Sequence, residues 1–286
     1  MVPPMPMLCW MLSLNRDYTR EEYNQCYEIV RLCAPHCQVR YNPHDAESFR
    51  VLLAHMIPLL MMRHRRVPRE RWRDRVTENG KHWIEQSPDS MPPERLIHSM
   101  IGYHITWEQS MAGMVMTQGR ERQVINIGLG IKQVLVEPKG TPVGAYVQSL
   151  AHKLTARELS HLSEEISDDH IMRRLCILLA LKSAYINAVG QPVGFDWSRL
   201  EFNIPEQTVS GDEQPLSGWE FRIFKASLGV VRGEGAIEEE YQCATAFFRA
   251  SQETTFIWDA TREDVERWVQ FLNIDQMIKV IPKLTA

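Results

Sequence analysis

A chain of 286 residues, 44% hydrophobic and 24% charged, has the composition of an ordinary globular protein, long enough for two domains or for two similar halves with an extension. Its net charge of −4 argues against a general electrostatic affinity for nucleic acid, and no run approaches the roughly 20 apolar residues of a membrane helix. A soluble, cytoplasmic protein is therefore expected, with neither nucleic acid nor membrane as a partner.

Residues 7–14 are apolar, but no basic segment precedes them and no small-residue cleavage site follows, so they read as a buried first strand. The spacing over 18–32 predicts a helix, with Thr19 and Glu22 set as a capping box. Cys26, Cys33, His36 and Cys37 invite a zinc reading, yet no Cys-x-x-Cys pair is present and no second pair of ligands is evident, so no metal ligand is expected. With Cys9, Cys176 and Cys243 they are expected as reduced thiols. A second, strongly apolar helix covers 45–62. The basic stretch Arg63, His64, Arg65, Arg66, Arg69, Arg71, Arg73 and Arg75 reads as a solvated face or as a dock for an acidic partner or a phosphate-bearing ligand. An Asn79-Gly80 turn follows, with Lys81 just past it. Strands are expected at 101–105, 111–117 and 123–136; in the last, Gly128 and Gly130 interrupt the apolar run and mark a bulge or a close backbone approach. This Gly-x-Gly lacks the third glycine and the following helix of a dinucleotide site.

Beyond Lys139-Gly140-Thr141-Pro142 the pattern restarts with a helix at 145–154. A second capping box, Thr155 and Glu158, opens 155–162, and a long helix over 168–189 is ended by Gly190. Strands are expected at 200–204, 219–226 and 241–248. The tail reads as a strand at 254–258 and a helix from Thr261 onward, with Val265, Trp268, Val269 and Leu272 on one face. The fold class is α+β, in two pseudo-symmetric halves, 1–142 and 143–249, with 250–286 an extension packing on the body.

Several segments then stand in a recognisable order: Ser48-Phe49-Arg50-Val51-Leu52-Leu53, Arg66-Val67-Pro68-Arg69-Glu70-Arg71-Trp72, Glu78-Asn79-Gly80-Lys81, Ile101-Gly102-Tyr103-His104-Ile105-Thr106, Ile127-Gly128-Leu129, Leu181-Lys182-Ser183-Ala184-Tyr185, Gly194-Phe195-Asp196-Trp197-Ser198-Arg199-Leu200-Glu201-Phe202 and Gly218-Trp219-Glu220-Phe221-Arg222. From Leu14 to about Arg249 the chain resembles the 4′-phosphopantetheinyl transferases, of the fungal, Sfp-like kind with two halves. The resemblance implies an enzyme that moves phosphopantetheine from coenzyme A to a serine of a carrier protein, with magnesium neutralising the diphosphate through carboxylate ligands. The family takes one carboxylate from a Gly-Val/Ile-Asp strand and another from a Trp-x-x-Lys-Glu-Ala helix. It adds a Ser-His pair for the phosphates and an arginine after a helix glycine.

The match breaks at those positions. Gly130 stands where the strand aspartate is expected, Ser183 in place of the helix glutamate, Leu179 in place of its tryptophan, and Asn187 in place of a lysine. Thr106-Trp107 replaces the Ser-His pair and Ala54-His55 the Gly-Arg pair, while Lys81 and Lys182 survive, with Arg50 as a further candidate. Asp168 lies about 14 residues before Lys182, about 20 Å along a helix, too far to substitute; Glu108 alone could.

The expectation is a scaffold that has lost magnesium and coenzyme A chemistry and now acts as a metal-free enzyme of secondary metabolism, isomerising, cyclising or dehydrating a small apolar metabolite. Its candidate acid–base groups are Glu108, Lys182, His55 and His104. Trp107, Gly130, Ser183, Leu179, Lys81 and Met114 are the candidate substrate-binding residues, and no cofactor is expected. Each has a plainer reading: His104 can face away on its strand, Glu108 can be a solvated loop residue, Lys182 can pair with a neighbouring acid, and Met111, Met114 and Met116 can be core. The alternatives are a non-catalytic protein that binds a carrier protein, and an active transferase with a displaced metal ligand, which alone would keep coenzyme A and magnesium.

Overall fold

The computed structural model describes residues 6–120, 123–163, 166–191, 193–233 and 235–284. The chain runs β1 (Met7–Ser13), α1 (Arg20–Cys33), α2 (Ala46–His64), β2 (Trp72–Val76), β3 (His82–Gln86), the one-turn α3 (Pro93–Leu96), β4 (Met100–Glu108) and β5 (Met111–Gly119). It continues through β6 (Ile127–Gln133), α4 (Val143–Ser149), α5 (Ala156–Ser160), α6 (Asp168–Val189), β7 (Leu200–Asn203), β8 (Thr208–Gly211), β9 (Gln214–Pro215), β10 (Trp219–Arg232) and β11 (Gly235–Phe248). The tail supplies β12 (Thr255–Asp259), α7 (Arg262–Glu266), β13 (Val269–Asn273) and α8 (Ile274–Val280).

Contacts divide the chain into two units. The first holds the chain up to Ile125, Leu228–Glu238 and everything from Glu266 on; the second holds Asn126–Ser227 and Glu239–Val265. In the first unit a six-stranded sheet has the order β13-β1-β5-β4-β3-β2. Alternate residues of the central strands, Trp10 and Leu12 from β1 and Ala112, Met114 and Met116 from β5, face a core completed by Tyr23 and Cys26 of α1 and Leu52, Leu53 and Met56 of α2. Side-chain caps set both helix starts, and the Thr19–Glu22 box is the one anticipated from sequence. Thr19 Oγ1 accepts from Glu22 N while the Glu22 carboxylate accepts from Thr19 N, and Asp45 Oδ1 accepts from Glu47 N at 3.0 Å. Gly80, at φ +74°, turns β2 into β3.

In the second unit the sheet order is β12-β10-β11-β6, beside a small β7-β8-β9 sheet. α6 supplies Leu175, Leu178, Leu181 and Ala184 to the core and ends at Gly190, which takes the left-handed conformation. Thr155 and Glu158 form the expected box at the start of α5, whereas the helix expected at 145–154 is α4 and a separate 3₁₀ turn. Both units follow one plan: a first strand, then helices, then hairpins whose last strand returns antiparallel to the first, β5 to β1 and β11 to β6.

Three sequence expectations need correction. The division at 142 falls inside the second unit, because β6 pairs with β11 from Ile127↔Phe247 to Gln133↔Tyr241. β10 runs well past 226 and β11 starts well before 241; Gly229, Arg232 and Gly235 and the acidic run Glu238–Glu240 break the apolar alternation there, although Val230 is buried. The tail is not one helix from Thr261: α7 spans five residues, and the chain then enters β13, parallel to β1 in the register Cys9↔Val269 to Ser13↔Asn273. The open backbone edge of β1 outweighs the helical spacing of Val265, Trp268, Val269 and Leu272. The expected extension is thus shared, β12 lying parallel to β10 and β13 parallel to β1.

Candidate functional site

Four of the residues singled out in the sequence lie in the second unit, on β6 and α6. Gly128 and Gly130 both face the helix, which presents Ala180, Ala184 and Ala188 at four-residue intervals, all fully buried. A Cβ at Gly128 would lie 2.1 Å from Ala184 O, and one at Gly130 would lie 2.0 Å from Ala180 O and 2.9 Å from Ala184 N. Only glycine fits at either place: the missing side chains bring the two backbones into contact. Asn187 Nδ2 fastens the seam by donating to Leu129 O at 3.1 Å and to Ser183 Oγ at 3.4 Å. Gly130 therefore contributes a packing surface in place of the expected substrate wall. Leu179 is a core residue, and Ser183 is half-buried one turn from Asn187.

Lys182 is fully buried. Its ammonium lies 2.7 Å from Glu158 Oε2 and donates to the carbonyls of Lys153, Trp197 and Leu200 at 2.8, 2.9 and 2.6 Å. Glu158, also fully buried, accepts from Thr155 N and Phe202 N. Burial pushes the lysine down from the ordinary amine range and the glutamate up from the ordinary carboxylate range, and their mutual attraction opposes both shifts. Every donor of Lys182 is taken, and the side chain joins α6 to the starts of α5 and β7 as a strut, where the sequence expectation was an acid–base group.

The other six candidates belong to the first unit. Trp107 packs on the core there and its Nε1 donates to Glu47 Oε1, tying β4 to the start of α2. Glu47, Ser48, Val51 and His55 line an open groove of about 430 Å³ with Gln38 and Asn42. The His55 Nδ1 lies 3.2 Å from Cys37 Sγ, and burial lowers this imidazole to about 4; burial likewise lowers His104 to about 3. Both rings are neutral at pH 7 and too weakly basic to be well matched to proton abstraction there. Met114, expected as a substrate contact, is fully buried in the core. Lys81 is half-buried past the turn, and burial lowers its amine. Glu108, half-buried, ends β4 beside a tight turn whose Gln109 has φ +49°.

Sequence reasoning missed the groups that could hold a metal. His36, placed with three cysteines in the sequence, turns instead to Asp74 and His82, and the ligand atoms of these three lie within 4.8 Å of one another. Two cysteines of the imagined zinc set, Cys26 and Cys33, are buried in the core, where burial raises both thiols. Only the hairpin β2–β3 and the segment after α1 bring the three together, so local spacing held no signal of them.

The fold is α+β, in two units, and no helix among the described residues is long and apolar enough to cross a membrane. Among known proteins the chain is similar to the 4′-phosphopantetheinyl transferase pptA of Paxillus involutus, 30% identical over 227 residues that cover 77% of this chain and 82% of that one. No family model matches. The chain belongs to the 4′-phosphopantetheinyl transferase family.

Proposed function

We propose that this protein keeps the scaffold of its family without the family's magnesium-assisted transfer, and that it serves as a binding protein for an acidic, carrier-type partner. The seam between β6 and α6 carries the reading. Magnesium demands hard oxygen ligands held in near-octahedral geometry. At the two positions where the resemblance implies carboxylates, this chain has Gly130, whose side-chain space is filled by the backbone of α6, and Ser183. The residues present do not fit the ion, and Lys182, which the resemblance would place beside it, is consumed by Glu158 and three carbonyls.

The metal-free enzyme reading has less support. Lys182 is enclosed, and His55 and His104 are held neutral with depressed basicity, so Glu108 is the remaining acid–base candidate of the four. Support for a docking role comes from charge: Arg63, Arg66, Arg71, Arg73 and Arg75 are all exposed within thirteen residues of a chain that is acidic overall. Family membership makes a carrier protein the natural acidic partner.

Calorimetry with an apo carrier protein tests this. Binding is expected to weaken with salt and to fall about tenfold or more in the triple variant Arg63→Glu, Arg71→Glu, Arg73→Glu, because charged contacts of this kind govern association. Affinity that ignores both salt and charge reversal would remove the docking argument. Turnover of a small metabolite that is lost in Glu108→Gln would favour the enzyme reading.

A further inference from the structure

We propose that the first unit contains a binding site for a divalent transition metal of the zinc class, formed by His36, Asp74 and His82. β2 and β3 pair with Val76 opposite His82, so Asp74 and His82 are diagonal neighbours on the same face of the hairpin. Tyr103, opposite His82 on β4, continues the row. The loop after α1 lays His36 over it, its Nε2 2.9 Å from Asp74 Oδ2, while His82 Nδ1 is 3.7 Å from Asp74 Oδ1. The His82 spacing is close to the edge of about 3.3 Å expected for a tetrahedron with metal–ligand bonds of about 2.0–2.1 Å, and the His36 spacing, made to the other carboxylate oxygen, is a hydrogen bond that an ion would replace.

An independent observation points to a ligand. The Asp74 side chain is 8% exposed, and its Oδ1 is buried and accepts no hydrogen bond among the described residues. A buried carboxylate oxygen without a donor is costly, and a cation beside it would remove the cost. Its other oxygen is already held: Tyr103 Oη donates to Asp74 Oδ2 at 2.6 Å, the kind of outer contact that fixes a ligating carboxylate. Oδ1 is thus left for the ion, with His82 Nδ1 3.7 Å away, while His36 Nε2 sits beside Oδ2 in the same cluster.

Two imidazoles and one carboxylate select the metal class. Magnesium and calcium prefer all-oxygen sets, whereas imidazole suits zinc, cobalt, nickel and iron. Three protein ligands leave a fourth position open, and the His36 side chain, 29% exposed, places that position toward solvent. The set lies wholly within one unit and is independent of whether the family's transfer persists.

The test uses the full chain, stripped with chelator and dialysed, then titrated with zinc chloride and cobalt chloride. One equivalent per chain is expected to bind, with cobalt giving the intense visible absorption of a tetrahedral site. His36→Gln, in an exposed loop, and Asp74→Asn should each weaken binding at least tenfold, whereas Cys37→Ser should leave it unchanged. A thermal melt of each variant without metal identifies any that fails to fold, and His36→Gln then decides the matter. No saturable binding, or binding that survives His36→Gln but disappears in Cys37→Ser, overturns the assignment.

Discussion

The double variant Gly130→Asp, Ser183→Glu is expected to lose about 3 kcal/mol or more of stability and to remain unable to bind magnesium. Restoring the missing carboxylates looks from sequence like the repair of a metal site. The structure makes it an overpacking experiment, because a Cβ at Gly130 would stand 2.0 Å from Ala180 O, so the helix would have to retreat by more than 1 Å. Inserting atoms into a packed interior costs about 1–3 kcal/mol, and burying a carboxylate in the seam adds to it. Gly130→Ala isolates the steric part and should be destabilising by itself, while Ser183→Glu alone, at a half-buried position, should be mild. Denaturant unfolding followed by calorimetry with magnesium chloride reads both effects. A double variant that is as stable as the parent and takes up one magnesium ion would mean that β6 and α6 separate readily and that the cleft is only closed, not lost.

Lys182→Met is expected to cost about 3–5 kcal/mol, since it leaves Glu158 buried and without its counter-charge. Adding Glu158→Gln should recover part of that loss, so that the double variant is more stable than the sum of the singles implies. Recovery will be incomplete, because Glu158 also accepts from the backbone of Thr155 and Phe202, and a glutamine amide satisfies only one of those with its oxygen. A lysine kept for binding phosphate would behave differently: its loss would lower function and leave unfolding almost unchanged. A stability change below about 1 kcal/mol in Lys182→Met would therefore contradict the strut assignment.

Much of this architecture was legible because it rests on local signals. Thr19 with Glu22, Thr155 with Glu158, and Gly190 announce helix ends through side chains that satisfy backbone groups a few residues away. The glycines at 128 and 130 announced a close backbone approach, and α6 supplies it. The pairing of Lys182 with a neighbouring acid was the plainer of its two readings, and Glu158 is that acid. What stayed hidden depends on distant parts of the chain. β13 forms because β1 offers an unpaired edge more than 250 residues earlier, and no pattern within Val269–Asn273 records that. The His36–Asp74–His82 cluster needs a hairpin and a loop to fold over one another, so the sequence showed only a histidine among cysteines. Met114 and His104 were attractive as site residues by type, but strand position decides which way each faces, and β5 is buried on both sides.

Loss of magnesium-assisted transfer, as proposed, is open to a single assay: mass spectrometry of an apo carrier protein incubated with this protein, coenzyme A and magnesium chloride. The carrier is expected to keep its mass unchanged after prolonged incubation, under conditions in which an active transferase of the family modifies it fully. A carrier that gains one phosphopantetheine group, in a reaction abolished by chelator, would contradict it.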